Sequence, residues 1–344
     1  MGCVAVVGVG YWGPNLARNF MSLGAFEHVI ACDMDAKRLS VVCRQLPGLQ
    51  ASTSLTDTLA RPEVEAVIVA TPVRTHHMLA KAALSAGKHV LIEKPMTYTS
   101  AEARELVELA AQRSLTLMVD HTFIYTGAVE KIIEVTSRPD FGDFFYVDSV
   151  RVNLGLFQHD VDVIWDLAPH DLSIVNRVLN RRPRVVRAVG QSHTDSGKAD
   201  VAYLHVDYGD RINATFHVNW LSPTKVRRMI IAGSKQMVLW DDLEAAEKIR
   251  VYDKGIETKP IGPEDQRRLQ VGYRTGDVWM PRIDPTEALQ KVACHFADCC
   301  RNGKRPITSG EDGLDVVLTL EASDMSLAHG GRPVAIHDGA LSLL

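Results

Sequence analysis

Lys94 stands directly behind an apolar run, in His89-Val90-Leu91-Ile92-Glu93-Lys94-Pro95. If that run is a buried parallel strand, the lysine lies just past its carboxyl end, the edge where open α/β sheets bind ligands. An ammonium there can hold a hydroxyl and polarise the carbonyl that forms as hydride leaves. A surface lysine in a turn is the competing reading. Pro95 restricts Lys94 to extended geometry and admits a cis bond that would aim the side chain. A second constellation is Trp165-Asp166-Leu167-Ala168-Pro169-His170-Asp171. A helix that includes both Asp166 and His170 sets them on one face, four residues apart. The carboxylate can orient the imidazole and raise its basicity, and a histidine near neutrality suits proton abstraction from an alcohol. Alternatively, His170 satisfies a helix end. Asp171 is a competing acid, but its neighbouring position turns it to another face.

Gly8-Val9-Gly10-Tyr11-Trp12-Gly13 matches G-x-G-x-x-G, follows an apolar strand and opens a helix. Asp33 lies 20 residues past Gly13 at the end of the next strand, which completes a dinucleotide-binding context. Gly8 permits the tight turn, Gly10 lets backbone approach a pyrophosphate, and Gly13 lets helix and strand pack closely. The helix N-terminus offers N–H groups and a positive dipole end to phosphates, and Pro14 costs nothing in a first turn. Asp33 would accept hydrogen bonds from ribose hydroxyls and repel a 2′-phosphate, so NAD is preferred to NADP. Lys37 and Arg38 leave room for NADP.

These groups need a scaffold. Up to about residue 120, β-rich runs (3–7, 28–32, 66–70, 89–92, 116–120) alternate with helical stretches (15–23, 35–45, 75–86, 100–113). That alternation predicts βαβ units and a parallel sheet covered on both faces, a doubly wound Rossmann domain over 1–121. Helical signals then remain at 127–137 and 169–179, followed by β-rich runs at 185–189, 199–206, 211–220 and 225–232. Asp207-Tyr208-Gly209-Asp210 reads as a hairpin connection. The region 122–344 is therefore expected to be an α+β domain with an open, mostly antiparallel sheet. Amphipathic stretches at 285–301 and 310–328 close it. No internal repeat and no low-complexity linker is present.

The bulk numbers exclude several classes of function. The chain has 344 residues, long enough for two domains, with 46% hydrophobic and 23% charged residues, as in a globular protein with a sizeable core. Lys plus Arg number 38 against 42 Asp plus Glu, a net charge of −4 that gives no reason to bind nucleic acid or an anionic membrane. No basic leader and no apolar run of about 20 residues is visible. Val6 occupies the position where a myristoylation signal needs Ser or Thr. Six cysteines show no C-x-x-C pair and no metal spacing. Reduced thiols, no metal and a cytoplasmic location are expected.

Taken together, these stretches resemble the Gfo/Idh/MocA family of sugar and inositol dehydrogenases. The resemblance rests on Gly8–Gly13, on Ala70-Thr71-Pro72-Val73-Arg74-Thr75-His76, and on Ala86-Gly87-Lys88-His89-Val90 running to Glu93-Lys94-Pro95. Asp166 with His170 also carries it, as does the closing region around His295-Phe296-Ala297, Gly303-Lys304-Arg305-Pro306 and Gly310-Glu311-Asp312-Gly313. It implies that Lys94 is a catalytic lysine, with Asp166 and His170 an Asp-x-x-x-His pair whose histidine accepts the proton. It implies that Tyr11, Thr71, Pro72, His76, Glu93 and Pro95 line the cofactor, with Trp12 near the nicotinamide. It also implies a homodimer or homotetramer formed through the second domain's sheet. Gly10 through Phe20 and Trp165 through Asp171 look most like the branch acting on UDP-N-acetylglucosamine or its uronic acid, oxidised to the 3-keto sugar. Inositol or free-sugar oxidation is the alternative within the family. Tyr125, Arg151 and Asn153 could line the substrate pocket. Lys225, Arg227 and Arg228 could meet a diphosphate, or serve as an exposed strand end or subunit contact. From other classes, an NAD-dependent glycoside hydrolase would recycle its NADH. A non-catalytic NAD-binding sensor would have no need of Lys94, Asp166 and His170 together.

Overall fold

The computed structural model describes residues 2–155, 157–158, 160–195, 197–260, 269–337 and 339–344. In the first part of the chain β1 (Cys3–Val7), β2 (His28–Cys32), β3 (Gln50–Ser52), β4 (Val64–Val69), β5 (His89–Glu93) and β6 (Leu117–Asp120) form one sheet. Their order is β3-β2-β1-β4-β5-β6, and every pair is parallel. The helices between them are α1 (Gly13–Leu23), α2 (Ala36–Gln45), α3 (Leu55–Ala60), α4 (Val73–Ser85) and α5 (Ser100–Gln112). β1 is buried at all five positions, as expected for a strand covered on both faces. Strand order reverses between β1 and β4, which opens a crevice at their carboxyl ends. This is the Rossmann arrangement that the alternating pattern implies.

Local capping explains where these helices start and stop. Gly24 closes α1 in the left-handed conformation. Asp35 caps α2 through the N–H groups of Lys37 and Arg38. Thr99 and Glu102 form a capping box that starts α5.

The next part of the chain contributes α6 (Gly127–Thr136), β7 (Phe144–Leu154), α7 (Val163–Leu179) and strands β8 (Val185–Gln191), β9 (Val201–Gly209), β10 (Ile212–Asn219), β11 (Leu221–Gly233), β12 (Met237–Asp241), β13 (Ile249–Pro260) and β14 (Leu269–Trp279). With β15 (Val334–His337) and β16 (Ala340–Leu343) they make a second sheet, ordered β14-β13-β12-β11-β7-β10-β9-β8-β15-β16. It is antiparallel throughout except where β7 runs parallel to β10. Burial alternates strictly along β10, so one face is dry, and α7 packs against β7, β9 and β10. The β9–β10 turn falls at Asp210 and Arg211, both left-handed (φ 51° and 66°), as a two-residue hairpin of primed type requires.

Two expectations need correction. Helix α7 starts at Val163 under an Asp162 cap rather than at Pro169, so the proline lies inside it. Pro169 has no N–H, so it makes no helical bond back to residue 165. The second correction concerns 122–344, which is not one continuous domain. The first compact unit comprises Met1–Tyr125 and Thr286–Glu321, the second Thr126–Pro285 and Ala322–Leu344. The cause is α8 (Ala288–Asn302), whose Leu289, Val292, Ala293, Phe296 and Ala297 join the core containing Leu16, Ala17 and Phe20 of α1. Phe296 meets Phe20 edge-on at 6.2 Å. Each such large side chain stabilises by roughly 1.5–3 kcal/mol on burial. Arg18 and Asn19 fix the helix start by donating to the Glu287 carboxylate. The last helix, α9 (Gly310–Ala328), is divided between the units at Glu321.

Among the described residues no helix is long and apolar enough to cross a membrane, and no group of three or more His, Cys, Asp or Glu side chains is arranged to hold a metal ion. The six cysteines are free.

Candidate functional site

The glycine turn joins β1 to α1 at the crevice. Gly8 has φ +91°, and a Cβ there would lie 2.6 Å from the Ala70 carbonyl oxygen. A Cβ on Gly13 would fall onto the carbonyl oxygen of Gly8. Gly10 differs: among the described residues, no atom lies within 4 Å of where its Cβ would be. No described residue packs against Gly10, so the space beside it has the room that a G-x-G-x-x-G turn needs for a pyrophosphate. Among the described residues no side chain caps the N-terminus of α1, and Pro14 occupies its first turn, an arrangement that suits an anion. Asp33 is held at the end of β2: one carboxylate oxygen accepts from Val9 N at 2.9 Å and the other from Asp35 N at 2.9 Å. Arg38 Nη1 lies 3.5 Å from Asp33 Oδ2. A carboxylate has about four acceptor positions, so ribose hydroxyls can still be accommodated. Tyr11 is 82% exposed and meets Trp12 edge-on. This donor set fits a dinucleotide.

Three further strands end on the same edge. His76 of α4 is buried, with Nε2 2.7 Å from the Thr71 carbonyl oxygen and Nδ1 3.0 Å from that of Pro95. Burial, reinforced by the Lys94 charge, pushes its pKa down despite those carbonyls. A neutral imidazole has one N–H and donates to one carbonyl at a time. His76 thus ties the loop after β4 to the loop after β5, positioning Thr71, the exposed Pro72 and Pro95 rather than presenting its own ring. The Lys94–Pro95 peptide is cis, and Lys94 is half-buried.

Glu93 ends β5 beside Asp120, its register partner at the end of β6. Both are buried, and their carboxyl groups are in hydrogen-bond contact. Burial raises the pKa of Glu93 well above the ordinary carboxylate value, with the Asp120 charge adding and Lys94 opposing. Burial likewise raises Asp120 to about 6, against hydrogen bonds from Thr122 and Glu93. The next residue, His121, is buried with neither ring nitrogen hydrogen-bonded among the described residues, and burial plus the Lys94 charge lower its pKa to about 3. Sequence reasoning missed Asp120 and His121. The signal was present, since Asp120 closes an apolar strand just as Glu93 does, but only strand register makes the two neighbours.

In the second unit, α7 includes both Asp166 and His170, and each is half-buried. Asp166 Oδ2 accepts from the indole N–H of the buried Trp220 at 3.1 Å. Asp171 faces elsewhere: its carboxylate takes both a 3.0 Å bond from Arg151 Nε and a 2.6 Å bond from Arg151 Nη2, with both side chains buried. That pairing commits Arg151 to joining β7 to α7. Asn153 is half-buried two residues further along β7. Arg227 and Arg228 pair with Asp242 and Asp241; Lys225 and Arg228 are exposed and Arg227 is half-buried. Tyr125 belongs to the first unit's core, its hydroxyl 3.1 Å from Thr308 Oγ1, so the structure buries it where the sequence offered it as pocket lining.

Two family models match the chain. Residues 3–121 match the oxidoreductase family, NAD-binding Rossmann fold, and residues 149–239 match the GFO/IDH/MocA C-terminal domain. UDP-N-acetylglucosamine 3-dehydrogenase from Acidithiobacillus ferrooxidans is 31% identical over 332 residues, covering 92% of this chain and 96% of that protein. Its solved structure superposes with a TM-score of 0.77 at 27% identity, over 95% and 98% of the two chains. A scyllo-inositol 2-dehydrogenase (NADP(+)) from Bacillus subtilis is 25% identical over 83% of each chain. GenD2 from gentamicin A biosynthesis, solved in complex with NAD, shares the fold with a TM-score of 0.81 at 22% identity, over 97% and 96% of the chains. The chain belongs to the Gfo/Idh/MocA oxidoreductase family.

Proposed function

We propose that this protein is an NAD-dependent dehydrogenase that oxidises a ring hydroxyl, at C3, of a nucleotide sugar such as a UDP-N-acetylhexosamine or its uronic acid, or catalyses the reverse reduction. The observation that carries the reading is the placement of Lys94 at the carboxyl end of β5, on the sheet edge that also bears the glycine turn and Asp33. The similarity to UDP-N-acetylglucosamine 3-dehydrogenase along most of both chains supports the substrate class.

The nicotinamide, when bound, supplies the hydride acceptor. Lys94 donates a hydrogen bond to the substrate oxygen and stabilises the charge that gathers there. His170 takes the hydroxyl proton on its imidazole, and Asp166, itself held by Trp220, orients the ring. The glycine turn and the N-terminus of α1 bind the diphosphate of the cofactor, and Asp33 accepts from the adenosine ribose. The fixed carboxylate of Asp33 favours NAD over NADP, since a 2′-phosphate would sit against its charge.

The test is a screen of NAD and NADP reduction by the purified protein across nucleotide sugars, free sugars and inositols. Net NADH formation with a UDP-N-acetylhexosamine or its uronic acid is expected. Activity only on free polyols would move the protein to the inositol and free-sugar dehydrogenases. Product release from a glycoside without net NADH would make it a hydrolase. Binding without turnover would make it a sensor.

A further inference from the structure

The parallel register of β5 and β6 sets two carboxyl groups side by side in the protein interior, Glu93 being 9% and Asp120 1% exposed. The donors on the pair are few. Thr122 Oγ1 donates to Asp120 Oδ1 at 2.8 Å, and the Lys94 backbone N–H donates to Glu93 Oε2 at 3.2 Å. Asp120 Oδ2 is buried, and no donor side chain or backbone N–H among the described residues reaches it. Two ionised carboxylates in contact without water would repel strongly, and a proton between them removes that cost while supplying the missing donor.

We propose that Glu93 and Asp120 share a single proton, and that the resulting monoanionic pair is the positioning unit that holds the Lys94 ammonium at the sheet edge. The proposal deepens the dehydrogenase reading and rests on Lys94 meeting the substrate there. The other titratable groups around the pair are His121, which follows Asp120, and His76 from α4, both pressed towards the neutral form. From α9, which lies against Val119 and Met96, Asp312 and Glu321 are tied to Ser309 and to the Ser100 N–H. Lys94 is thus the cation that acts on Glu93. With one proton retained, its charge is balanced once and not twice. A second negative charge would cancel the field that Lys94 offers to a substrate oxygen.

The experiment begins with apoenzyme, so that it stands independently of cofactor and substrate. Infrared difference spectra recorded as the pH is raised should show a protonated carboxyl stretch that persists to near neutrality and shifts in heavy water. The wild-type spectrum needs no variant, and absence of the band near neutrality overturns the proposal. The band should vanish in both Glu93→Gln and Asp120→Asn, because each leaves one carboxylate hydrogen-bonded to an amide. Its survival in both would assign it elsewhere, for example to the half-buried Asp162, and would overturn the proposal too. For the positioning role, the readout is turnover against pH with saturating cofactor. Asp120→Asn fixes the pair at one negative charge, so the ionisation step of the wild-type profile should disappear while the KM for cofactor moves less than turnover. A uniform fall at every pH marks a merely structural residue and refutes that role. Should no sugar be oxidised, the dehydrogenase reading fails while the infrared result still decides whether the proton is shared.

Discussion

Each compact unit buries a carboxylate beside a strand, but the two solve the resulting charge problem differently. In the second unit Asp171 meets the guanidinium of Arg151 in a two-pronged ion pair, and both side chains are out of solvent. Such a pair is balanced internally, one unit charge against one. At the carboxyl edge of the first unit Asp120 meets another acid, Glu93, and its balance comes from a proton and from Lys94. The contrast separates a fastening from a site. Titratable groups with perturbed pKa values at a ligand-binding edge are poised to respond to a bound charge, whereas a matched ion pair is not.

The sharpest challenge to this contrast is Lys94→Ala. Turnover should fall by about 100- to 1,000-fold, the range seen on losing one hydrogen-bond donor to a developing oxyanion, with NAD affinity nearly intact by fluorescence titration. Unchanged turnover would deny the acid edge its function. Next comes Asp171→Ala, which strands Arg151 in the interior and should cost about 3–5 kcal/mol of stability, seen as a large drop in melting temperature. A double change to apolar residues, Arg151→Met with Asp171→Leu, should recover most of that loss, since a buried ion pair and an apolar pair are often equivalent in stability. Trp220→Phe removes the indole donor from Asp166 and should lower turnover roughly tenfold, about the worth of one hydrogen bond to a charged group.

The smallest expected effect concerns pH. Asp120 has a folded pKa of about 6 against an ordinary 3.8, so between those values the native state holds more protons than the unfolded chain. Stability therefore falls as pH rises through that window, and the raised pKa of Glu93 extends the fall upward. Asp120→Asn should flatten this decline, so that thermal melts of the variant gain on wild type from pH 4 to pH 8. Parallel curves would show that the acid pair behaves like the ion pair.

The parts legible in the sequence were those governed by local rules. β1 and β2 follow from continuous apolar runs, and the turn between Val7 and Gly13 from where glycines are obligatory. Helix α7 was half legible: Pro169 reads as a first-turn residue, and the Asp162 cap seven residues earlier carries no periodic signal to outweigh it. β3 and α3 are short and mostly polar, three and six residues long, with too little pattern to stand out. Long-range pairing was harder still. Neither the seating of Tyr125 on Thr308 nor the capture of Arg151 by Asp171 can be read from spacing, because each partner comes from a distant stretch of chain. The Glu93–Asp120 contact depends on one register choice between two strands.

The return of α8 to the nucleotide-binding unit has a consequence for how the protein is made. Residues 1–125 are made before α8, so part of the apolar side of α1 stays uncovered until Phe296 and its neighbours emerge, some 170 residues later. The Rossmann unit is thus completed only once Thr286–Glu321 has been made, and strands β7 to β14 are threaded out while it waits.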